Sequence, residues 1–271
     1  MNENGRSLDR LRHHFEVERE LAQRLRNSTR EQRAELYKTL YDELFKRVPD
    51  HPRLTRRETP ESVQKAITAR MNLLRPLLQN VETFLEFAPG DCRLAFEVAK
   101  YVKQVYGVDI SDQSGSEKKP QNFTMLVYDG YNLNIPENSI DLAFSYQFLE
   151  HLHPDDVELH LQTAFRILKP NAGYLISTPH AFSGPHDISR YFSDTPQGFH
   201  LKEWTYRELV TLAKKVGFSD VFAYRFGKPQ ECPVINKANL WLELVMSVFP
   251  KKFRRLICKR LFNSVIVLLR K

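Results

Sequence analysis

Residues Val81 to Ser111, reading VETFLEFAPGDCRLAFEVAKYVKQVYGVDIS, constrain the fold more than any other stretch of this chain. Thr83 to Phe87 is a short apolar, branched and aromatic run, as a buried parallel strand requires. Ala88-Pro89-Gly90-Asp91 forms a turn, and then Leu94, Val98, Tyr101 and Val102 fall at helical spacing with charged residues between them. Val105 to Val108 resumes strand character and stops at Asp109. Strand, tight turn, helix, strand and terminal acid within about 30 residues is the βαβ unit that binds nucleotides. A turn of small residues lets a ligand approach the first strand's end, and the following helix N-terminus adds partial positive charge. An acid that closes the second strand can accept both hydroxyl protons of a ribose, which is the role the pattern gives Asp109. The turn has one glycine where the dinucleotide fingerprint has three, so this unit alone does not choose among nucleotide-binding folds.

The segments downstream narrow the choice. Residues 125–130, MLVYDG, read as a third strand ending in acid-glycine. They are followed by NIPENSIDLAFS at 134–145, QFLEHL at 147–152, and ILKPNAGYLISTP at 167–179. In this order and at these intervals, Val81 to Phe226 resembles the class I S-adenosylmethionine-dependent methyltransferases of the type 11 domain group. The resemblance implies an α/β fold with a doubly wound, mostly parallel, seven-stranded Rossmann-like sheet, and S-adenosyl-L-methionine as cofactor. The implied reaction is methyl transfer to an acceptor, with O-methylation favoured.

It also assigns residues. The family's first-strand motif is acid-x-Gly-x-Gly-x-Gly; Glu86 and Gly90 match it, whereas Ala88 and Cys92 replace two glycines. Glu86 would order the loop or hold the cofactor's amino group, and Cys92 would put bulk beside the methionine moiety. These departures leave a second reading, a cofactor-binding module without turnover. Asp109 would hold the ribose, with Ile110 beside the adenine. Asp129 and Gly130 would meet the adenine amino group, and Ser145 and Gln147 the methionine part. His151 is the first candidate for general base, since imidazole titrates near neutral pH; the alternative is that Glu150-His151 caps the next helix. In ubiquinone-biosynthesis O-methyltransferases a similar Glu-x-x-Glu-His run binds a divalent metal. Gln147 replaces the first of those acids, so no metal is expected.

Residues 179–200 form a long irregular loop rich in histidine and aromatic residues, the place for an acceptor pocket. His186 with Asp187 is the second base candidate, or else a pair that pins the loop. Thr205 to Glu208 is a capping box that opens a helix stopped by Gly217, and Val221 to Phe226 and Ser264 to Leu269 read as the last two strands.

Residues 1–80 read as a helical N-terminal cap and 81–271 as the cofactor-binding domain, with 228–263 a basic helical insert before the last strand. In the cap, Leu36, Leu40 and Leu44 form one helical row, with Tyr37 and Tyr41 on the next. Both tyrosines could line the cofactor site or pack the helix against the sheet. Arg53, Arg56 and Arg57 read mainly as a solvated loop, the alternative being contacts to an anionic group of the substrate.

The net charge of +7 is unevenly placed. From Lys228 to Lys271 ten Lys/Arg face only Glu231 and Glu243, which leaves residues 1–227 at −1. A basic end on a near-neutral body argues against nucleic-acid binding. Lys251, Lys252, Arg254, Arg255, Lys259 and Arg260, interleaved with apolar residues, suit a membrane interface or an anionic acceptor, or form the solvated face of a lid. The expected partner is thus a small-molecule, glycan or lipid-linked acceptor. Three scattered cysteines without a CxxC, a polar N-terminus and no long apolar run fit a cytoplasmic protein, peripheral at most to a membrane.

Overall fold

The computed structural model describes residues 5–55, 58–115 and 118–271. Its centre is a twisted sheet whose strands are β1 (Thr83–Phe87), β2 (Gln104–Asp109), β3 (Phe123–Val127), β4 (Ile140–Tyr146), β5 (Leu168–Pro179), β6 (Asp220–Arg225), β7 (Lys228–Pro229) and β8 (Ser264–Arg270). The order is β3-β2-β1-β4-β5-β8-β6-β7. The first five strands in that order are parallel, while β8 pairs antiparallel with both β5 and β6. The sheet therefore has eight strands, one more than the seven expected. The extra strand arises because Phe226 and Gly227 both take positive φ (53° and 75°), the conformation of a tight hairpin turn. That turn folds Lys228–Pro229 back onto β6.

Both faces of the sheet are covered, as a parallel sheet demands. Along β1 the side chains alternate, with Leu85 and Phe87 in one core and Phe84 in the other. The Leu85 face packs against α6 (Pro154–Ile167), α7 (Tyr206–Val216) and the hairpin of α8 (Pro233–Ser247) and α9 (Lys251–Leu261). The Phe84 face is covered by α4 (Pro60–Leu74) and the short α5 (Arg93–Val98), through Met71, Leu74, Leu94 and Val98. Two expectations shift here. The helix after β1 ends at Val98, and Tyr101 lies 53% exposed instead of continuing it. And α4, grouped with the cap by sequence, packs on the sheet as a layer helix.

The cap proper is α1 (Leu8–Arg26), α2 (Arg30–Arg47) and the single turn α3 (Pro52–Thr55). Ser7 caps α1, and Thr29 with Gln32 closes a capping box on α2. Leu21 and Leu25 of α1 meet Leu40 and Leu44 of α2, and this small core is completed by Phe199 and Leu201 of the loop after β5. The cap thus rests on that loop and on the ends of the strands.

Candidate cofactor site and acceptor cavity

A cavity of about 190 Å³ opens at the carboxyl ends of β1, β2 and β4, where a sheet of this winding binds ligands. Ala88 and Gly90 border it from the turn after β1, Asp109 and Ile110 from the end of β2, and Gln147, Phe148 and His151 from the segment after β4. Tyr37, Leu40 and Tyr41 of α2 also line it, as does Phe199.

The turn after β1 owes its shape to three left-handed residues at alternate positions: Ala88 (φ 52°), Gly90 (φ 58°) and Cys92 (φ 61°). Glycine adopts this conformation freely; an L-residue does so at a cost of about 1–2 kcal/mol each. Ala88 and Cys92 therefore keep the geometry that their substitution for glycine opposes. The Cys92 side chain is fully buried beside Leu94 and Ala95 and is not among the residues that line the cavity. Gly90 and Gly130 both border the cavity at positive φ, and a Cβ on either would meet no atom within 4 Å. That open space beside two bare backbones is what a nucleoside approaching the strand ends needs.

Asp109 sits at the cavity wall, where burial lifts its carboxyl above the ordinary value and backbone N–H groups of Ile110, Gly90 and Ser111 counter only part of that rise. The Ile110 bond is 2.7 Å long. Gln147 takes a positive φ of 53° at the end of β4, held by its N–H donating to the Ser177 carbonyl at 2.7 Å. Such an outlier at a strand end is common where backbone strain serves a site.

Other residues assigned by sequence lie elsewhere. Glu86 points to the α4–α5 face, away from the cavity; burial pushes its pKa up to about 8, and its Oε2 has no hydrogen-bond partner among the described residues. Asp129 does not line the cavity: its Oδ1 accepts from the N–H groups of Tyr131 and Asn132 (2.8 and 2.7 Å) and its Oδ2 from the Asn132 side chain. It shapes the turn that presents Gly130. Ser145 is fully buried beneath the wall and accepts from the Tyr174 hydroxyl at 2.9 Å, with His160 2.8 Å beyond that hydroxyl.

His151 does reach the cavity. Its Nδ1 lies 3.0 Å from the Phe199 carbonyl, which can only accept, so Nδ1 carries the proton and Nε2 is left with a bare lone pair. Burial, reinforced by the neighbouring His200, pulls its pKa down to about 3. His186 and Asp187 do not border the cavity. The His186 N–H donates to Glu203 at 2.6 Å, and Asp187 accepts from the N–H groups of Ser189 and Gly198. Glu203 and Asp187 thus pin the loop, since its buried N–H groups need acceptors.

Beneath that loop lies a buried acid–histidine cluster. Glu150 Oε2 accepts from Thr178 at 2.9 Å while its Oε1 has no hydrogen-bond partner among the described residues, and burial pushes its pKa up to about 7. Burial works to lower the pKa of His200, but its bond to Glu203 and the charges of Glu150 and Asp187 outweigh this and raise it. Glu150, His151 and His200 bring ligand-type atoms within 4.8 Å of one another, an arrangement able to hold a cation; a second such group is His14, Glu18 and His51 in the cap.

Arg33, Tyr131 and Asp156 carry no sequence signal. Arg33 of α2 donates from Nε and Nη2 to both oxygens of Asp156 on α6 (2.6 and 2.7 Å), with the two side chains 5% and 6% exposed. Tyr131 donates to the same carboxylate at 2.9 Å, and both Asp156 and Tyr131 line the cavity. These three residues lock the cap over the site. Tyr37 adds a bridge, accepting from the His153 N–H at 3.0 Å. Arg53 is exposed, as a solvated loop residue would be, and also lines the mouth with its guanidinium 5.5 Å from the Tyr41 ring. Arg56 and Arg57 fall outside the described residues.

Comparisons with known proteins agree with this architecture. Residues 85–176 match the family described as methyltransferase domain. A stretch of 140 residues is 28% identical to a probable S-adenosylmethionine-dependent methyltransferase of Mycolicibacterium smegmatis, covering 49% of this chain and 51% of that protein. The chain thus spans about half the length of the curated relative it matches. Among solved structures, a SAM-dependent methyltransferase of Archaeoglobus fulgidus aligns with a TM-score of 0.53 at 17% identity, over 76% of this chain and 94% of that one. The 1,6-didemethyltoxoflavin N1-methyltransferase of Burkholderia thailandensis, solved with S-adenosylhomocysteine, aligns at 0.51 and 17%, over 76% and 78%. These two likenesses concern the fold. By motif match and by the placement of its strand-end cavity, the segment 85–176 is similar to the methyltransferase domain of S-adenosylmethionine-dependent enzymes.

Proposed function

We propose that the protein transfers the methyl group of S-adenosylmethionine to an oxygen of a small-molecule, glycan or lipid-linked acceptor. The observation that carries this reading is one cavity bordered at one side by Gly90 and Asp109 and at the other by an imidazole with an unprotonated Nε2. The cofactor supplies an electrophilic methyl group on a sulfonium. Asp109 would accept ribose hydroxyls, the bare backbone at Gly90 and Gly130 would admit the nucleoside, and Ile110 would flank the base. Tyr37, Leu40 and Tyr41 would close over it and exclude water, which protects the reaction from hydrolysis. His151 would take the acceptor's proton at Nε2, and the Phe199 carbonyl holds the ring in the tautomer that leaves this nitrogen free. A pKa near 3 keeps His151 neutral at working pH. It also makes His151 a weak base, so proton removal would accompany methyl transfer and not precede it. Arg53 at the mouth favours an acceptor with a negative group near the reacting oxygen.

The second reading, a cofactor-binding module without turnover, loses part of its motive because Ala88 and Cys92 retain the left-handed turn. Calorimetry with S-adenosylhomocysteine, followed by a screen of hydroxylated acceptors with methyl-labelled cofactor, separates the two. Absence of binding rejects both, whereas binding without transfer to any acceptor leaves the module.

A further inference from the structure

We propose that the α8–α9 hairpin docks the protein on an anionic membrane surface. Nine of the fourteen large apolar side chains that are exposed among the described residues fall between Val234 and Leu261. They are not scattered. On α8, Val234, Trp241, Leu244 and Val248 recur at helical spacing along one outward ridge, 71%, 65%, 46% and 78% exposed. On α9, Phe253 and Leu256 form the outward crest and Cys258 the inward side.

Charge selects the occupant. Lys252, Lys259 and Arg260 flank the Phe253–Leu256 crest, and α9 contains no acid. Among the described residues, no carboxylate lies within ion-pair distance of Lys251, Lys252, Lys259 or Arg260. The acid of α8, Glu243, is turned inward. Its Oε1 accepts from His180 at 2.8 Å and from the Tyr206 N–H at 2.7 Å, and its Oε2 from the Arg207 N–H at 2.9 Å. Among the described residues, the outward face of the hairpin is therefore apolar and cationic, with no carboxylate paired to the four exposed cations of α9. A second copy seated there would bring the four exposed charges Lys251, Lys252, Lys259 and Arg260 of each chain together, which opposes self-association. Exposed aromatic and aliphatic groups rimmed by lysine and arginine fit the interfacial zone of a bilayer, with rings at headgroup depth and cations on lipid phosphates.

The placement also reaches the loop over the cavity. Arg254 stacks 4.2 Å from the Phe182 ring, and Arg255 lies 3.9 Å from Asp194. Both contacted residues belong to the loop that supplies Phe199 to the cavity wall. Docking would set that loop against the lipid surface. The inference does not depend on the proposed reaction, because membrane binding is read without cofactor or acceptor.

Sedimentation with phosphatidylcholine vesicles, with and without phosphatidylglycerol, tests it on the full chain. Binding is expected to the anionic vesicles only and to be lost in high salt. Lys252→Gln, Lys259→Gln and Arg260→Gln together should lower partitioning roughly hundredfold, at about fivefold per charge near the surface. Acrylamide quenching provides a readout that needs no variant. Trp204 is 4% exposed, so quenching reports Trp241, and anionic vesicles should shield it. No pelleting with anionic vesicles, pelleting indifferent to salt, or concentration-dependent self-association that buries Trp241 without lipid would each overturn the proposal.

Discussion

Removing Arg33 tests most directly whether the cap is locked over the cavity by one buried ion pair. In the folded protein its guanidinium holds both oxygens of Asp156 and also donates to the Ser28 carbonyl at 2.6 Å. Arg33→Leu keeps much of the apolar stem and strands the carboxylate. Breaking a buried pair by removing one partner costs about 3–5 kcal/mol, because an uncompensated charge is left in low dielectric. Two groups soften the loss. Tyr131 still donates to the carboxylate, and Arg30 lies 3.8 Å from Asp156 on an exposed, movable side chain. The lower end, about 3 kcal/mol, is therefore expected, a shift of more than hundredfold in the unfolding equilibrium. Arg33→Leu combined with Asp156→Leu removes both charges and should return to within about 1 kcal/mol of the wild type, since a buried pair gives little over an apolar replacement. Urea denaturation of the two single variants and the double variant gives the coupling. A loss below about 1 kcal/mol for Arg33→Leu, as for a surface bridge, would refute the reasoning. So would a double variant no more stable than Arg33→Leu.

Three further outcomes follow from the site. Asp109→Ala should weaken S-adenosylhomocysteine binding about 10- to 100-fold by calorimetry, the range for hydrogen bonds to a charged group; unchanged affinity would remove its ribose role. His151→Phe should lower the methyl-transfer rate by a factor of about 10² or more while cofactor affinity stays within a few-fold. Because His151 is neutral down to about pH 3, its protonation should leave no inflection in the rate between pH 5 and 8. Glu86→Gln should change how stability responds to pH. With its folded pKa raised to about 8, Glu86 favours the fold most at low pH, and that contribution falls as pH rises from the unfolded value toward 8. The wild type should lose about 2–3 kcal/mol more than the variant between pH 6 and 8 by urea denaturation, and parallel pH profiles would reject a neutral buried Glu86.

The chain's local patterns carried much of this structure. The apolar run at 83–87, the acid ending at Asp109 and the capping box at Thr205 each reflect neighbours in sequence. The strand, strand end and helix start that they predict are where they were expected. The same holds for Gly90 and Gln147 at the cavity wall, since a strand's carboxyl end follows from the strand itself. Side chains whose role depends on facing direction were less legible. Glu86 and Ser145 fall on the expected strands, yet alternation turns Glu86 to the α4–α5 face, and Ser145, on the opposite face, is buried against Tyr174 beneath the wall. His186 and Asp187 look chemically able, but the Asp187 carboxylate accepts from loop N–H groups and the His186 ring pairs with the Ser183 hydroxyl.

What only the tertiary structure decided is what lies far apart in the chain. Arg33 and Asp156 stand 123 positions apart, and nothing in either helix's spacing marks the pair, because a buried charge is tolerated only once its partner is in place. The tautomer of His151 depends on Phe199, 48 positions away, and the inward turn of Glu243 depends on His180, 63 away. Local propensity and periodicity sit in the sequence as written. Pairings that close the cap, aim a proton acceptor and leave one face of a hairpin uncompensated exist only after the sheet has brought those residues together.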